Sequence, residues 1–364
     1  MKIGVHKIAM GAPNDVSGLK ALIDAGAIDP ASIVAVIGKT EGNGGANDFT
    51  RGFATLSFQL LLAPLLGVSP DEIGARIAFV WSGGTEGVLS PHATIFTSLP
   101  AEPAATPRLA LGIAVTRDLA PEEIGRMAMV EVVADAVRRC LAETGITDPS
   151  AVHYVQVKGP LLTPARIADA RARGAVLATE DPNGSKTYAR GAMGLGVALA
   201  LGEVSETDLS DAAISRRLDL FSSVASTSAG GELKNCEVLL FGNSALAGGD
   251  LRIGHAVLAD AIDADGVRAA LASAGLDLSV PTKDGNAGRI AAVFAKAEAS
   301  PTGKIRGWRN TMLSDADINY ERHARAALGA VIASVTSDPA IFVSGGTEHQ
   351  CAPGMAPIAA IVRV

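Results

Sequence analysis

The chain has 364 residues, with 31 Lys and Arg against 38 Asp and Glu, and a formal net charge of −7. One hydrophobic core rarely extends beyond about 250–300 residues, so the length predicts two or three domain-sized units. The 48% hydrophobic content indicates a globular protein. The negative net charge argues against a general nucleic-acid binder, which needs a basic surface. The 40 glycines predict repeated tight turns or close backbone contacts.

The first residues lack the apolar core of a secretory signal peptide, and the longest uncharged stretch is too interrupted to cross a membrane. The three cysteines, Cys140, Cys236 and Cys351, are odd in number and lack CxxC spacing. They predict buried thiols in a reducing compartment rather than disulfides or a zinc site. We therefore expect a cytoplasmic protein that binds neither membrane nor nucleic acid.

The predicted elements recur three times along the chain. Each copy opens with a short apolar run around a glycine and continues into a helix that ends at a glycine, where a left-handed residue is typical. A β-branched strand then ends in lysine, a helix starts at arginine, and a second strand ends in Ser-small-Gly-x-Glu. The recurring residues are Gly26, Gly145 and Gly275; Lys39, Lys158 and Lys296; Arg51, Arg190 and Arg325; and the segments Ser82–Glu86, Ser228–Glu232 and Ser344–Glu348. In the third copy Arg322 competes with Arg325, which matches the following apolar spacing better.

The same order of features in all three copies predicts repeat units at 1–103, 110–247 and 252–364. Each unit has two or more strands with helices. Their strand faces would close around a pseudo-threefold axis. We therefore predict an α/β fold in which three repeats form a central β-barrel-like core with helices outside.

Strand ends and helix starts would direct the recurring side chains toward the axis. The result is a pocket with three lysines, three arginines and three serines above glycine backbone. An alternative is that each set only closes its own repeat, as Arg and Ser often do at helix caps. An unpaired lysine at the end of an apolar strand is costly to bury, which favours a functional pocket. Donors in threes suit a small ligand with acceptors in threes.

A lysine removed from water and crowded by cations favours its neutral form, so it can take the proton of a serine that attacks an amide carbonyl. Glu41 and Glu298 closely follow two of the lysines, and we expect them to keep those lysines protonated. Lys158 is followed by Gly-Pro and has no such acid. The predicted roles are Lys158 as base, Ser228 as nucleophile, and Lys39 and Lys296 in supporting dyads.

Four segments carry a family resemblance: Gly38-Lys-Thr-Glu-Gly-Asn-Gly44, residues 82–91, residues 294–300 and residues 344–350. Over essentially the whole chain the sequence resembles the cyclic amide hydrolases, and the nearer branch opens cyanuric acid. The resemblance implies a barrel-like fold of three repeats and ring hydrolysis to carboxybiuret, which loses carbon dioxide to give biuret. It also implies no cofactor for the chemistry and a homo-oligomer, with a tetramer expected.

The resemblance supports Lys158 and Ser228 as the catalytic pair. The substrate contacts that it implies are Arg51, Ser82, Gly83, Arg190, Ser228, Ala229, Arg325, Ser344 and Gly345. It further implies a structural Mg²⁺ or Ca²⁺ held by oxygen ligands. These would come from Glu298, Thr347, Gln350, Cys351, Ala352 and Met355, although the last three depart from the family's glycine- and proline-rich loop.

Two alternatives remain at this point. The sister branch opens the barbiturate ring, and residues near Arg325, such as Tyr320 or Glu321, would distinguish a ring CH₂ from a ring N–H. A non-catalytic binding protein would use the same pocket without forming product. The unequal surroundings of the three lysines argue against the second alternative.

Overall fold

The computed structural model describes residues 1–279 and 286–364, which include three four-stranded sheets. We call the parts of the chain that build them, with their helices, units A, B and C. Unit A comprises β1 (Lys2–Ala9), α1 (Ser17–Asp24), β2 (Ile33–Thr40), α2 (Thr50–Leu66), α3 (Pro70–Arg76), β3 (Ala78–Gly83) and β4 (His92–Leu99). Unit B comprises β5 (Arg108–Val115), α4 (Met127–Thr144), β6 (Val152–Pro160), α5 (Pro164–Ala172), α6 (Ser185–Leu201), β7 (Ala225–Gly230) and β8 (Glu237–Ser244). Unit C comprises β9 (Leu251–Leu258), α7 (Ala264–Ser273), β10 (Ile290–Ala297), β11 (Lys304–Ile305), β12 (Trp308–Arg309), α8 (Tyr320–Thr336), β13 (Phe342–Gly345) and β14 (Ala356–Arg363).

The three sheets have the same topology. Their strand orders are β1-β4-β2-β3, β5-β8-β6-β7 and β9-β14-β10-β13, so one parallel pair lies at the same edge of each sheet. In that pair the predicted lysine and serine are always direct neighbours. The partners are Lys39 and Ser82, Lys158 and Ser228, and Lys296 and Ser344. Neighbours in register point to the same face, so each lysine extends beside its serine.

The inner faces of the three sheets share one apolar core, which is rich in aromatic rings. Tyr154 of unit B stacks on Phe294 of unit C at 5.0 Å between ring centroids, and Phe96 of unit A lies 5.2 Å from Phe241. Separate apolar clusters lie between the sheets and their helices. The predicted α/β class is confirmed. In the described residues, the barrel-like centre consists of three sheets around a core, without a continuous ladder that closes them into a barrel.

The predicted helix ends are confirmed, whereas the predicted helix starts are wrong. Gly26, Gly145 and Gly275 have φ values of 69°, 65° and 100°, as left-handed residues after a helix do. None of the three helices starts at its arginine. In α8 the side chain of Asn319 accepts the backbone N–H of Glu321, so the helix begins before Arg325. The observed first residues are Thr50, Ser185 and Tyr320.

The three cysteines are buried free thiols, as predicted. In the described part of the chain, no single helix is long and apolar enough to cross a membrane; α2 and α3, bent by 96°, pass the same test only as a pair. At α2 an exposed apolar stripe follows the helical spacing of three or four residues. The stripe comprises Phe49, Phe53, Leu56 and Leu60.

Candidate active site

The three lysine–serine pairs share one register but differ in their hydrogen bonds. Lys39 Nζ donates to Ser82 Oγ at 3.0 Å, and Lys296 Nζ donates to Ser344 Oγ at 3.2 Å. The Ser228 hydroxyl is buried and has no hydrogen-bond partner among the described residues. Unit B therefore holds a serine whose oxygen is not engaged by its lysine.

Each lysine also binds the neighbouring unit. The acceptor is always the backbone carbonyl of the residue that precedes the serine there. Lys158 Nζ donates to Trp81 O at 3.1 Å, Lys39 Nζ to Val343 O at 2.7 Å, and Lys296 Nζ to Thr227 O at 2.8 Å. These contacts run around the axis from B to A, from A to C and from C to B.

The arginines connect the units in the opposite direction, through the glutamates that end the Ser-small-Gly-x-Glu segments. Arg190 Nε and Nη2 donate to Glu348 at 2.7 and 2.6 Å, and Arg325 donates through the same two nitrogens to Glu86 at 2.8 and 2.6 Å. Arg51 Nε donates to Glu232 at 3.1 Å. Such forked pairs fix the plane of a guanidinium. The sequence pattern contained these glutamates without revealing their partners.

The serines and arginines converge on a cavity of about 30 Å³ at the centre of the three units. Only Lys158 of the three lysines lies in its wall, so the prediction of a pocket with three lysines is wrong. Lys39 and Lys296 are held behind their serines by the hydrogen bonds described above. The lining residues are Gly44, Arg51, Ser82, Gly83, Lys158, Lys186, Arg190, Ser228, Ala229, Glu321, Arg325, Ser344 and Gly345.

The carboxylates near the lysines are not those expected. Glu41 is exposed beyond the end of β2, and Glu298 binds Thr347 and Gly354. Lys158 Nζ instead lies 3.2 Å from Glu232 Oε1, so it does have an acid beside it. Burial opposes ionisation of Glu232, but the charges of Lys158 and Arg51 outweigh burial and hold its pKa at about 2.

Burial lowers the pKa of all three lysines because it removes the ammonium from water. The shift takes the pKa of Lys39 and Lys296 well below the usual value, with Arg325 and Arg190 respectively adding to it. Glu232 opposes the shift at Lys158. The expectation that Lys158 alone lacks a neighbouring acid is therefore wrong. Lys158 differs from the other two lysines by its place in the cavity wall.

Glycine beside two of the serines leaves space for polar side chains. A Cβ at Gly345 would lie 2.7 Å from Arg325 Nη1, and one at Gly83 would overlap Asp48. Unit B has Ala229 at the same place in the cavity wall. The backbone at Gly345 therefore sets how closely Arg325 approaches the cavity.

The structure adds one lining residue that the sequence pattern did not indicate, Lys186, and it places Glu321, expected near the ring, in the cavity wall. Arg190 Nη2 lies 3.0 Å from Glu321 Oε1, and Lys186 Nζ lies 3.7 Å from Glu321 Oε2. Both side chains also line an outer pocket of about 450 Å³. They stand between this pocket and the inner cavity. The competing Arg322 lies in the outer pocket, whereas the buried Arg325 reaches the cavity.

The residues implied for a cation lie around Glu298. Its Oε2 accepts the Thr347 hydroxyl and, at 3.0 Å, the Gly354 N–H, and burial raises its pKa. Gln350 Oε1 accepts the Thr227 N–H at 2.6 Å, so that side chain is occupied elsewhere. Burial raises the pKa of the Cys351 thiol to about 12. Glu298 is therefore the one carboxylate among the residues implied for a cation, and its oxygens are of the kind that Mg²⁺ or Ca²⁺ prefers.

Comparison with known proteins decides the family. The model of the amidohydrolase ring-opening protein family matches residues 4–363. The chain belongs to this family. It is an enzyme, a cyclic amide hydrolase, and this membership excludes the alternative of a non-catalytic binding protein.

The chain is similar over its full length to several proteins of the family. A cyclic amide hydrolase of Azorhizobium caulinodans is 69% identical, and a cyanuric acid amidohydrolase of Enterobacter cloacae is 54% identical; each comparison covers 100% of both chains. Barbiturase 1 of a Nocardioides species is 45% identical over 99% of this chain and 98% of its own. A solved cyanuric acid hydrolase has a TM-score of 0.94 and 49% identity, covering 100% of this chain and 99% of its own.

Proposed function

We propose that this cyclic amide hydrolase opens the ring of cyanuric acid. The observation that carries the proposal is the cavity, in which one arginine and one serine from each unit face a common centre. Cyanuric acid repeats one carbonyl and one ring nitrogen three times, so a threefold set of donors matches its acceptors. Guanidinium groups held in plane by their glutamates suit ring carbonyl oxygens.

Access to this cavity starts from the outer pocket. The inner cavity of about 30 Å³ shares four lining residues with the outer pocket of about 450 Å³, so the ring would enter through the outer pocket. Lys186 and Glu321 stand at the boundary and carry opposite charges. We assign them the role of admitting the ring and closing behind it.

Ser228 is assigned as the nucleophile and Lys158 as the base. As Ser228 Oγ bonds to a ring carbonyl carbon, its proton passes to the Lys158 amine, whose pKa burial lowers although Glu232 opposes the shift. Backbone N–H groups at the cavity wall face the oxygen that becomes negative. The C–N bond then breaks, and the ring nitrogen takes the proton from Lys158.

Water completes the reaction. Its oxygen bonds to the acyl carbon, one proton goes to Lys158, and the bond to Ser228 Oγ breaks as that oxygen recovers a proton. The product is carboxybiuret, which loses carbon dioxide to form biuret. Lys39 and Lys296 remain bonded to their serines and keep them oriented toward the other two carbonyls.

The serines of the three units provide matched variants. Ser228→Ala is expected to lower kcat by about 10³-fold or more, because the bond-forming oxygen is lost. Ser82→Ala and Ser344→Ala remove one hydrogen bond each, so they are expected to raise KM by about tenfold and leave ring opening in place. Product is measured as biuret by mass spectrometry. Near-normal turnover by Ser228→Ala would refute the assignment.

Barbituric acid is the second candidate substrate. The relative with 69% identity is named only as a cyclic amide hydrolase, and a barbiturase is 45% identical. Glu321 favours cyanuric acid, since a carboxylate in the cavity wall accepts a ring N–H and receives nothing from a ring CH₂. Parallel kcat/KM measurements on the two rings test the choice, and a preference for barbituric acid would reverse it.

We also propose that a structural Mg²⁺ or Ca²⁺ binds at Glu298 and the carbonyls of the 347–355 loop. Burial raises the pKa of Glu298, and a bound cation would offset the cost of burying its charge. Metal analysis of purified protein, and the loss of thermal stability on chelation, test this site. Glu298→Gln should abolish both the metal content and the effect of the chelator. A stable wild type without metal would contradict the proposal.

For the assembly we propose a homo-oligomer, a tetramer by the expectation from the family, in a reducing cytoplasm. The apolar stripe at α2 is a surface that a second copy would bury. Light scattering of the wild type and of Leu60→Glu tests this contact. A smaller particle for the variant is expected, and a monomeric wild type would refute it.

A further inference from the structure

Unit B contains a third residue in line with its lysine and serine. On the side of β6 away from Ser228, the register of β6 and β8 places Glu237 directly opposite Lys158. Three adjacent strands therefore carry Ser228, Lys158 and Glu237 in one row. Cross-strand neighbours extend to the same face of the sheet.

The corresponding row in each other unit lacks an acid. In unit A, Lys39 pairs with His92, whose pKa burial lowers to about 4, so this imidazole is neutral. In unit C, the register that pairs Ala295 with Ile358 brings Pro357 opposite Lys296. By contrast, every unit has a glutamate at the end of its serine segment. Glu237 thus distinguishes the unit whose lysine lines the cavity.

Glu237 is buried, and its Oε2 atom has no hydrogen-bond partner among the described residues. A buried polar atom without a partner is costly, so such an atom in a native protein calls for an explanation. An apolar residue at this place would pack without the free-energy cost of burying a carboxyl group. The carboxyl group instead lies where a charge appears on the neighbouring lysine during the reaction.

We propose that Glu237 is a positioning residue that acts through Lys158, and that Ser228, Lys158 and Glu237 form a functional row. When Lys158 takes the serine proton, the N–H bond forms as the O–H bond breaks, and the lysine becomes an ammonium. An ionised Glu237 stabilises that ammonium and orients it toward the ring nitrogen. The acid of a Ser-His-Asp triad acts on its base in the same way. The inference rests on the proposed roles of Ser228 and Lys158.

The surroundings of Glu237 give this role a pH dependence. Burial raises the pKa of Glu237 to about 8, Lys158 and the Phe79 N–H oppose the shift, and the negative Glu232 adds to it. On β5 the paired residue is Val115, which does not titrate. The carboxyl is protonated below that pH and ionised above it. We therefore expect kcat to rise with pH through an inflection that belongs to Glu237.

Glu237→Gln keeps the size of the side chain and cannot ionise. It is expected to lower kcat by about tenfold or more at alkaline pH, to leave KM nearly unchanged, and to remove the inflection. Glu237→Asp should restore a rise at a shifted pH. His92→Gln, at the same place in unit A, serves as the control and should retain the inflection. A Glu237→Gln profile with the rise intact would overturn the inference, as would an Asp variant without any rise.

A measurement without substrate separates this inference from the proposed function. The ¹⁵N signal of Lys158 Nζ, assigned by its loss in Lys158→Arg, reports the pKa of the amine. Removal of the Glu237 charge should lower this pKa, because a carboxylate stabilises the ammonium. An unchanged Lys158 pKa in Glu237→Gln would refute the coupling whichever ring the enzyme opens. Failure of the wild type to open either ring would refute only the proposed function.

Discussion

Arg190 of unit B and Glu348 of unit C are joined by two hydrogen bonds of 2.7 and 2.6 Å that cross the boundary between the units. Both side chains are largely buried. Arg325 and Glu86 form an equivalent pair from C to A, and a single hydrogen bond from Arg51 to Glu232 joins A to B. The arginines that line the cavity are therefore held by glutamates from the next unit. The positions of these groups therefore depend on how the units pack.

The first prediction concerns that pair. Glu348→Gln leaves Arg190 as a buried charge with a weaker partner, so it should lower the free energy of unfolding by about 3 kcal/mol or more. Glu122→Gln is the matched control, because Glu122 binds Arg173 through a similar fork at 2.7 and 2.8 Å on the surface. Exposed pairs contribute little, so the control should remain close to wild type in chemical denaturation. Equal losses in both variants would contradict the buried role of Glu348.

The second prediction concerns ring specificity. Glu321→Gln weakens the acceptor that we assign to a ring N–H, and hydrogen bonds to charged groups contribute about 1.5–3 kcal/mol. The kcat/KM for cyanuric acid should therefore fall by about tenfold or more, while that for barbituric acid should fall less. Arg322→Gln changes the outer pocket and the 3.2 Å hydrogen bond from Arg322 Nε to Glu86 but leaves Glu321 in place, so it should affect both rings equally. An equal loss for both rings in Glu321→Gln would contradict the assignment.

The third prediction concerns Gly345. A methyl group there would meet Arg325 Nη1 at 2.7 Å and the Cβ of Glu321 at 3.1 Å. Because Glu86 holds Arg325 in its fork, the guanidinium cannot move aside freely. Gly345→Ala should raise KM and also lower the free energy of unfolding by about 1–3 kcal/mol, because the added methyl group overpacks the site. Ala229→Gly, at the equivalent place in unit B, should leave KM close to wild type; a similar KM for both variants would contradict the prediction.

The fourth prediction concerns the pH dependence of stability at Glu237. The folded chain keeps this proton up to about pH 8, whereas an unfolded glutamate releases it near its ordinary pKa of 4.5. The folded state therefore binds more protons between these pH values, and wild-type stability falls as pH rises through the window. Glu237→Gln has no ionisable group here and does not lose stability in this way. The difference in free energy of unfolding, variant minus wild type, should therefore increase by up to about 1.4 kcal/mol for each pH unit. Urea denaturation across the window measures the difference, and a constant offset would contradict the raised pKa.

Repetition in the sequence predicted the fold class because the strand and helix patterns that indicate it are local. Strands that end in Lys39 and in Ser82 carry their own β-branched pattern, and parallel pairing brings the two ends together. The glycines that follow the helices are similarly local, since a left-handed residue there needs no distant partner. Because these features occur three times, chance agreement is implausible.

The contacts between units could not be predicted from the repeated sequence pattern. The glutamates of the serine segments were visible, but their arginines lie in another unit, as Arg51 and Glu232 do. The expectation that Glu41 keeps Lys39 protonated is wrong, because Glu41 is close to Lys39 in sequence but lies on an exposed loop beyond the strand. Lys186 could not be predicted as a lining residue because it belongs to no triplicated pattern.

The carbonyls that bind the lysines are synthesised at different times on the ribosome. Lys158 finds its carbonyl in the already synthesised unit A, but Lys39 must wait for Val343, near the end of the chain. Until that segment has been synthesised, Lys39 lacks its carbonyl acceptor and Arg190 lacks Glu348. Hydrolytic activity should therefore appear abruptly once unit C has been synthesised, and products truncated before Val343 should be inactive even if units A and B have folded.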